Sequence, residues 1–148
     1  FIRNPQNLRL EPNGFEVPYK LQLLLHPDEK IDGFREWKIT DDFLIEKDDY
    51  ADEIRLKDFA DVAIDDNVAT INSFERTDKR AIVHWLPINH SREACLITPS
   101  NDGFKTDEGF IENIDLVEGM ILQLERVGFA RIEKIPENGA IELLYLHG

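Results

Sequence analysis

Apolar and polar residues alternate with a period of two along most of this chain, the spacing of a strand with one buried face. Residues 7–11 (NLRLE) set the pattern. Pro12-Asn13-Gly14 then supplies a turn and residues 15–25 run extended, so the segment reads as a hairpin. Further strands are expected at residues 35–39, 43–46, 53–56, 62–64, 68–74, 81–86 and 94–98, and again at 120–125, 129–135 and 141–146. Clusters rich in Pro, Gly, Asn and Asp separate them, as at His26-Pro27-Asp28, Asp65-Asp66-Asn67 and Glu137-Asn138-Gly139. Helical turns are expected only near residues 47–52 and within residues 106–112. Many short strands with frequent turns predict an all-β fold of antiparallel β-barrels with few short helices. The polar stretch 75–80 (ERTDKR) reads as a loop or as the boundary between two small barrels, about 1–78 and 79–148.

Composition narrows the field. The 148 residues are 42% hydrophobic, enough to bury a core within one domain or two very small ones. No apolar run approaches the ~20 residues of a membrane span. A lone Cys95 argues against a disulfide framework or a cysteine zinc site and favours a reduced, cytoplasmic setting. The sequence opens on Phe1 without a signal peptide, which leads one to expect a piece excised from a longer protein.

Charge first argues against polyanions. With 17 Lys+Arg against 30 Asp+Glu the net charge is −13, a poor match for DNA or an anionic membrane. The acids are unevenly placed, however. Residues 41–53 hold a run of them against Lys47 alone, and residues 102–118 another against Lys105 alone; both runs read as solvated loops. The first ten residues hold Arg3 and Arg9 and no acid, and residues 76–92 hold Arg76, Lys79, Arg80 and Arg92 against Asp78. Phosphate responds to the potential within a Debye length, about 8 Å at physiological salt, so a local cationic stripe remains compatible with RNA.

Reactive constellations are scarce. His26, His84, His90 and His147 show neither helical i, i+4 spacing nor an HExxH pattern, which weighs against a metal site. His84 and His90 flank a proline-containing turn and can approach each other, but His84 alternates with apolar neighbours as a core histidine would. Ser73, Ser91 and Ser100 lack a GxSxG setting, and Cys95 lies in an apolar strand (ACLI). Neither GxxxxGK[ST] nor GxGxxG is present. Thirty acids always offer carboxylate pairs, so a small acidic hydrolase is a formal alternative.

Five segments, in order, point elsewhere. Asn4-Pro5-Gln6-Asn7-Leu8-Arg9-Leu10 fits an "xPVKL" opening strand. Leu24-Leu25-His26-Pro27-Asp28 with Gly33-Phe34-Arg35 is similar to an "HP…GxR" segment. Residues 53–62 (EIRLKDFADV) look like "vRLxxxxxV", and Ile82-Val83-His84-Trp85-Leu86-Pro87 like "IHWV". Residues 123–132 (QLERVGFARI) resemble "QFERxGFxRID". Together they resemble the anticodon-binding region of the class I glutamyl- and glutaminyl-tRNA synthetases, over nearly the whole chain. The Gly128-Phe129-Ala130-Arg131-Ile132 variant and the closing Leu144-Tyr145-Leu146-His147 are nearer the archaeal-type glutamyl enzyme. Leu124 stands where the family has Phe, Gln6-Asn7 replaces Val-Lys, and residues 92–119 match poorly.

The resemblance implies two small β-barrels, like those of ribosomal-RNA-binding proteins, with strands exchanged between them. It implies a parent enzyme that attaches glutamate to tRNA with ATP and Mg²⁺, its catalytic Rossmann half preceding Phe1, while this fragment is non-catalytic and holds no cofactor or metal. The implied partners are tRNA(Glu), with tRNA(Gln) an open alternative, and the catalytic domain; DNA and membrane are not expected. Splayed anticodon bases are read by stacking and by hydrogen bonds to their edges, work suited to Gln and Arg. Gln123 and Arg126 match family positions implicated in anticodon contact. On a regular strand they would face opposite ways, unless a bulge or the twist at Gly128 reconciles them. Arg55 and Lys57, two apart on one face, are further candidates, and Arg80 and His84 complete the set. Trp85 and Phe129 read as core residues, and Gly33, Gly119 and Gly128 as turns or bulges. A glutaminyl-tRNA synthetase and a stand-alone ribosomal-RNA-binding barrel are the nearest alternatives.

Overall fold

A computed structural model describes residues 1–18, 20–24 and 34–148; His26 and Gly33 lie outside the described residues. The strands are β1 (Ile2–Arg3), β2 (Pro5–Glu11), β3 (Lys20–Leu24), β4 (Phe34–Lys38), β5 (Asp42–Glu46), β6 (Glu53–Leu56), β7 (Ala60–Asp65) and β8 (Val68–Ser73). They continue with β9 (Ala81–Val83), β10 (Leu86–Pro87), β11 (Ser91–Ser100), β12 (Gly103–Glu112), β13 (Ile121–Leu124), β14 (Gly128–Lys134) and β15 (Ile141–His147). Two single 3-10 turns, Lys47–Asp49 and Ile88–His90, are the only helical elements among the described residues. The fold is all-β and barrel-like, in two units: Gln6–Asn89, and Phe1–Pro5 together with His90–Gly148.

The Gln6–Asn89 unit is built on a seven-stranded sheet in the order β10-β5-β2-β8-β7-β6-β9, with β3-β4 as a separate ribbon. Its core takes the inward positions of successive strands: Leu8 and Leu10, Phe43 and Ile45, Ile54 and Leu56, Val62 and Ile64, Ala69 and Ile71. Each large aliphatic side chain so buried contributes about 1.5–3 kcal/mol. The expected hairpin over residues 7–25 does not form. The turn is there, with Asn13 and Gly14 at φ 53° and 81°. But both edges of β2 are taken, by β5 and by β8, the latter in parallel with Arg9 opposite Val68. Strand structure resumes only at β3, which pairs with β4.

The expected strand 81–86 is interrupted: β9 ends at Val83 and β10 begins at Leu86, with His84 and Trp85 both buried between them. Trp85 sits at the centre of an aromatic cluster. Its ring meets Trp37 and Phe43 edge-on at 5.1 and 5.8 Å and stacks on Phe59 at 5.1 Å. The indole Nε1–H donates to the Lys57 carbonyl at 2.9 Å, so the polar end is satisfied too. Residues 75–80 are a loop within this unit.

The second unit is a six-stranded sheet ordered β1-β12-β11-β15-β14-β13. Residues 106–112, expected to hold a helical turn, belong to β12, which forms with β11 a ten-pair antiparallel ribbon. The acid run 102–118 is therefore largely strand rather than loop. The core gathers Phe1, Ala94, Leu96, Ile111, Leu124, Ala130, Ile132, Ile141 and Leu143. Phe129, expected in the core, is half-buried and packs on the His147 ring at 4.8 Å. Gly109 lets β1 lie against β12: a Cβ there would collide with the Ile2 carbonyl oxygen and the Phe1 ring.

Candidate nucleic-acid interface

In the unit that contains β11–β15, the sheet's inner face changes character along its length. On β12 the inward positions run Ile111, Gly109, Asp107, Lys105, from buried to exposed. On β11 they run Ala94, Leu96, Thr98, and the register places Leu96 opposite Asp107 and Thr98 opposite Lys105. The core thus ends in an open cavity of about 340 Å³, lined by Arg3, Leu96, Thr98, Lys105, Asp107, Arg126, Val127 and Tyr145. Arg3 enters from β1, opposite Gly109, and its guanidinium lies 3.7 Å from the Asp107 carboxylate.

Arg126 reaches this cavity through a turn. Val127 N–H donates to the Leu124 carbonyl at 3.0 Å, closing the β13–β14 connection. Arg126 occupies a left-handed conformation, φ 65°, and Gly128 follows at φ 132°. The chain therefore leaves the strand before Arg126, and strand alternation no longer dictates where that side chain points. Gln123 remains on edge strand β13, opposite Phe129, and is exposed. It does not line the cavity.

The remaining candidates have different surroundings. Arg55 lies directly across from Asp61 in the β6–β7 ladder, and its Nη1 donates to the Asp61 carboxylate at 3.2 Å. Asp61 is fully buried and also accepts from the Thr77 N–H and hydroxyl at 3.1 and 3.0 Å. Burial alone would raise its pKa; the Thr77 hydrogen bonds and then the Arg55 guanidinium outweigh that and hold it below the usual carboxylate range. Arg80 Nε donates to Asp78 at 3.0 Å, and its Nη1 donates to Asn72 and the Val62 carbonyl. Lys57 is exposed in the turn after β6. His84 is buried, with Nε2 2.7 Å from Glu46 Oε2 and 3.9 Å from Asp49 Oδ2.

Cys95 is half-buried, and burial, then the carboxylates of Glu108, Glu142 and Asp107, push its thiol pKa up. A thiol so held is a poor nucleophile. No helix among the described residues is long and apolar enough to cross a membrane.

What remains is a cavity with three cations, Asp107, a tyrosine and a threonine in its lining, a set that can hold phosphate or a base edge. The family described as "tRNA synthetases class I (E and Q), anti-codon binding domain" matches residues 1–147. The chain belongs to this family. As an anticodon-binding domain it is 33% identical to the glutamate–tRNA ligase of Pyrococcus furiosus, over 99% of this chain and 27% of that protein. It is 31% identical to the glutamate–tRNA ligase of Methanobrevibacter smithii, again over 99% of this chain and 27% of that protein. The Natronomonas pharaonis ligase is 32% identical over 79% of the chain. The chain spans about a quarter of the length of the curated relatives it matches.

Sequence reasoning singled out Arg126 but not Arg3, Lys105 or Tyr145. The signals were present: Arg3 opens an acid-free segment, and Lys105 is the sole cation in an acid run. What was missing was that residues 103–112 form a strand.

Proposed function

We propose that this domain recognises the anticodon of tRNA(Glu) within a glutamate–tRNA ligase, and that the Arg126 cavity receives the RNA. The supporting observation is the convergence of Arg3, Lys105 and Arg126 on one open cavity in an anticodon-binding domain whose net charge is −13. Single-stranded bases need a planar or bidentate partner and a nearby cation for the phosphate. Arg126 supplies the first and Lys105 the second. Gln123, exposed on the neighbouring edge strand, adds a donor and an acceptor. The surrounding acids suppress sequence-blind binding, leaving affinity to a few contacts. The ligase's ATP, Mg²⁺ and chemistry belong to the catalytic half, and the protein works in the cytoplasm.

The test is Arg126→Ala in the full-length ligase. Loss of one bidentate contact, about 1–3 kcal/mol, lowers kcat/KM for tRNA about 5- to 150-fold. KM for glutamate and for ATP stays unchanged. Unaltered tRNA kinetics would remove the cavity from the anticodon site. Charging tRNA(Gln) in the same assay separates a glutamate-specific enzyme from one that serves both tRNAs.

A further inference from the structure

Within the Gln6–Asn89 unit, one group of side chains has the make-up of a metal site. Glu46 ends β5, Asp49 lies in the 3-10 turn that follows, and His84 fills the break between β9 and β10. One ligand atom from each lies within 4.8 Å of the others. The His84 side chain is 6% exposed and those of Glu46 and Asp49 are 20% and 17% exposed, so this is not a solvated acidic face.

We propose that Glu46, Asp49 and His84 bind a Zn²⁺-class divalent ion, with water completing a tetrahedron. The donor set decides the class. One imidazole nitrogen with two carboxylates suits zinc, whereas magnesium and calcium prefer oxygen alone. The distances decide the geometry. Ligands about 2.0–2.1 Å from a tetrahedral zinc lie about 3.3 Å from one another. The His84 Nε2 separations, 2.7 Å to Glu46 and 3.9 Å to Asp49, bracket that edge. Each His84 edge changes by about 0.6 Å to reach that spacing, and the Glu46 and Asp49 oxygens, within 4.8 Å of each other, close by up to about 1.5 Å through their carboxylate rotamers. The ion would tie β5 and its following turn to the β9–β10 break, where Trp85 anchors the aromatic cluster. Binding to the folded chain would add to its stability by linkage.

The experiment strips this chain with chelator and titrates it with Zn²⁺ by calorimetry and equilibrium dialysis. One tight equivalent is expected, with Tm rising several degrees as zinc is added. His84→Asn should weaken that equivalent by at least about 100-fold, the upper end of what removing even an outer-shell partner does. Glu46→Gln and Asp49→Asn should each weaken it about tenfold. Glu46→Gln keeps an acceptor for the imidazole and so guards against a mere folding defect. A wild-type measurement needs no variant: Co²⁺ bound here gives the intense visible bands of a tetrahedral site, and Zn²⁺ bleaches them. A chain that takes up no zinc equivalent would show an ordinary histidine–carboxylate pair and overturn the proposal. So would a zinc equivalent that all three variants retain at full affinity.

Discussion

Arginine has different surroundings in the two units. In Gln6–Asn89, Arg55 and Arg80 are turned into the structure, one against buried Asp61 and the other against Asp78, Asn72 and the Val62 carbonyl. In the other unit, Arg3, 3.7 Å from the Asp107 carboxylate, and Arg126 line an open cavity together with Lys105. The difference lies in what faces each residue across the sheet. Arg55 sits on a ladder opposite an aspartate, and Arg80 lies in a loop against its own neighbour Asp78. Arg126 sits in a turn, past the last ladder pair. A family motif singles out a residue; strand register and turn geometry decide whether its cation is packed among partners in a ladder or lines a cavity.

The sharpest way to break this contrast is to open the aromatic cluster. Trp85→Ala removes the ring on which Trp37, Phe43 and Phe59 converge. A loss of about 3–5 kcal/mol is expected, the usual range for Trp or Phe to Ala in a core. Urea denaturation followed by the NMR signals of residues 53–83 measures it. A loss below 1 kcal/mol would mean that Trp85 is a surface platform, as an RNA-stacking residue would be.

The next test addresses the committed arginine. Asp61→Asn leaves the Arg55 guanidinium without its charge partner. Because Arg55 keeps some solvent, the expected loss at pH 7 is about 2–3 kcal/mol, just below the usual range for breaking a buried pair. The pH dependence carries a sign. A carboxylate whose pKa is lower folded than unfolded contributes its stability above the unfolded value, about 3.9, and loses it as pH falls through the folded value. The wild-type advantage over Asp61→Asn should therefore be constant from pH 5 upward and shrink below pH 4. A gap that widens in acid would show that the ion pair is not what Asp61 contributes.

These contrasts also mark what the chain's pattern revealed. The all-β character and most strands were legible, because inward positions such as Leu8, Ile54, Ile71 and Leu143 are apolar and alternate. Strand β12 was not legible. Its inward positions toward the tip are Lys105 and Asp107, polar because the sheet interior there is a cavity, and Gly109, bare because β1 and the Phe1 ring pack against it. The same inversion hid Lys105 and Asp107 as cavity residues. Pairings distant in sequence were equally hidden: β2 lies beside β8, nearly sixty residues on, and no local signal distinguishes that partner from a hairpin mate. His84 meets Glu46 38 residues earlier in the chain, so the cluster emerges only in three dimensions. Arg126 was legible as a motif residue, while its placement depended on a turn conformation at φ 65°.

The finest distinction the proposal draws lies inside the cavity, between a side chain suited to reading a base and one suited to holding phosphate. Lys105 is a point charge at the exposed end of β12, suited to the backbone; Arg126 has the planar fork suited to a base edge. Lys105→Ala in the full-length ligase should weaken tRNA binding only several-fold, about 1 kcal/mol or less. Its signature is the salt dependence. Removing one phosphate contact on a single strand flattens the slope of log K against log[salt] by about 0.7. Arg126→Ala should lose more affinity with less change in slope, and should relax discrimination at one anticodon position. Lys134, exposed on β14 and 3.8 Å from Glu142, lies outside the cavity, and its replacement by Ala should move neither quantity. If Lys105→Ala and Lys134→Ala shift the slope equally, the cavity has no privileged contact with RNA and the cations act only through the overall field. If Lys105 alone shifts it, charge is read locally here, within a domain whose total charge opposes binding.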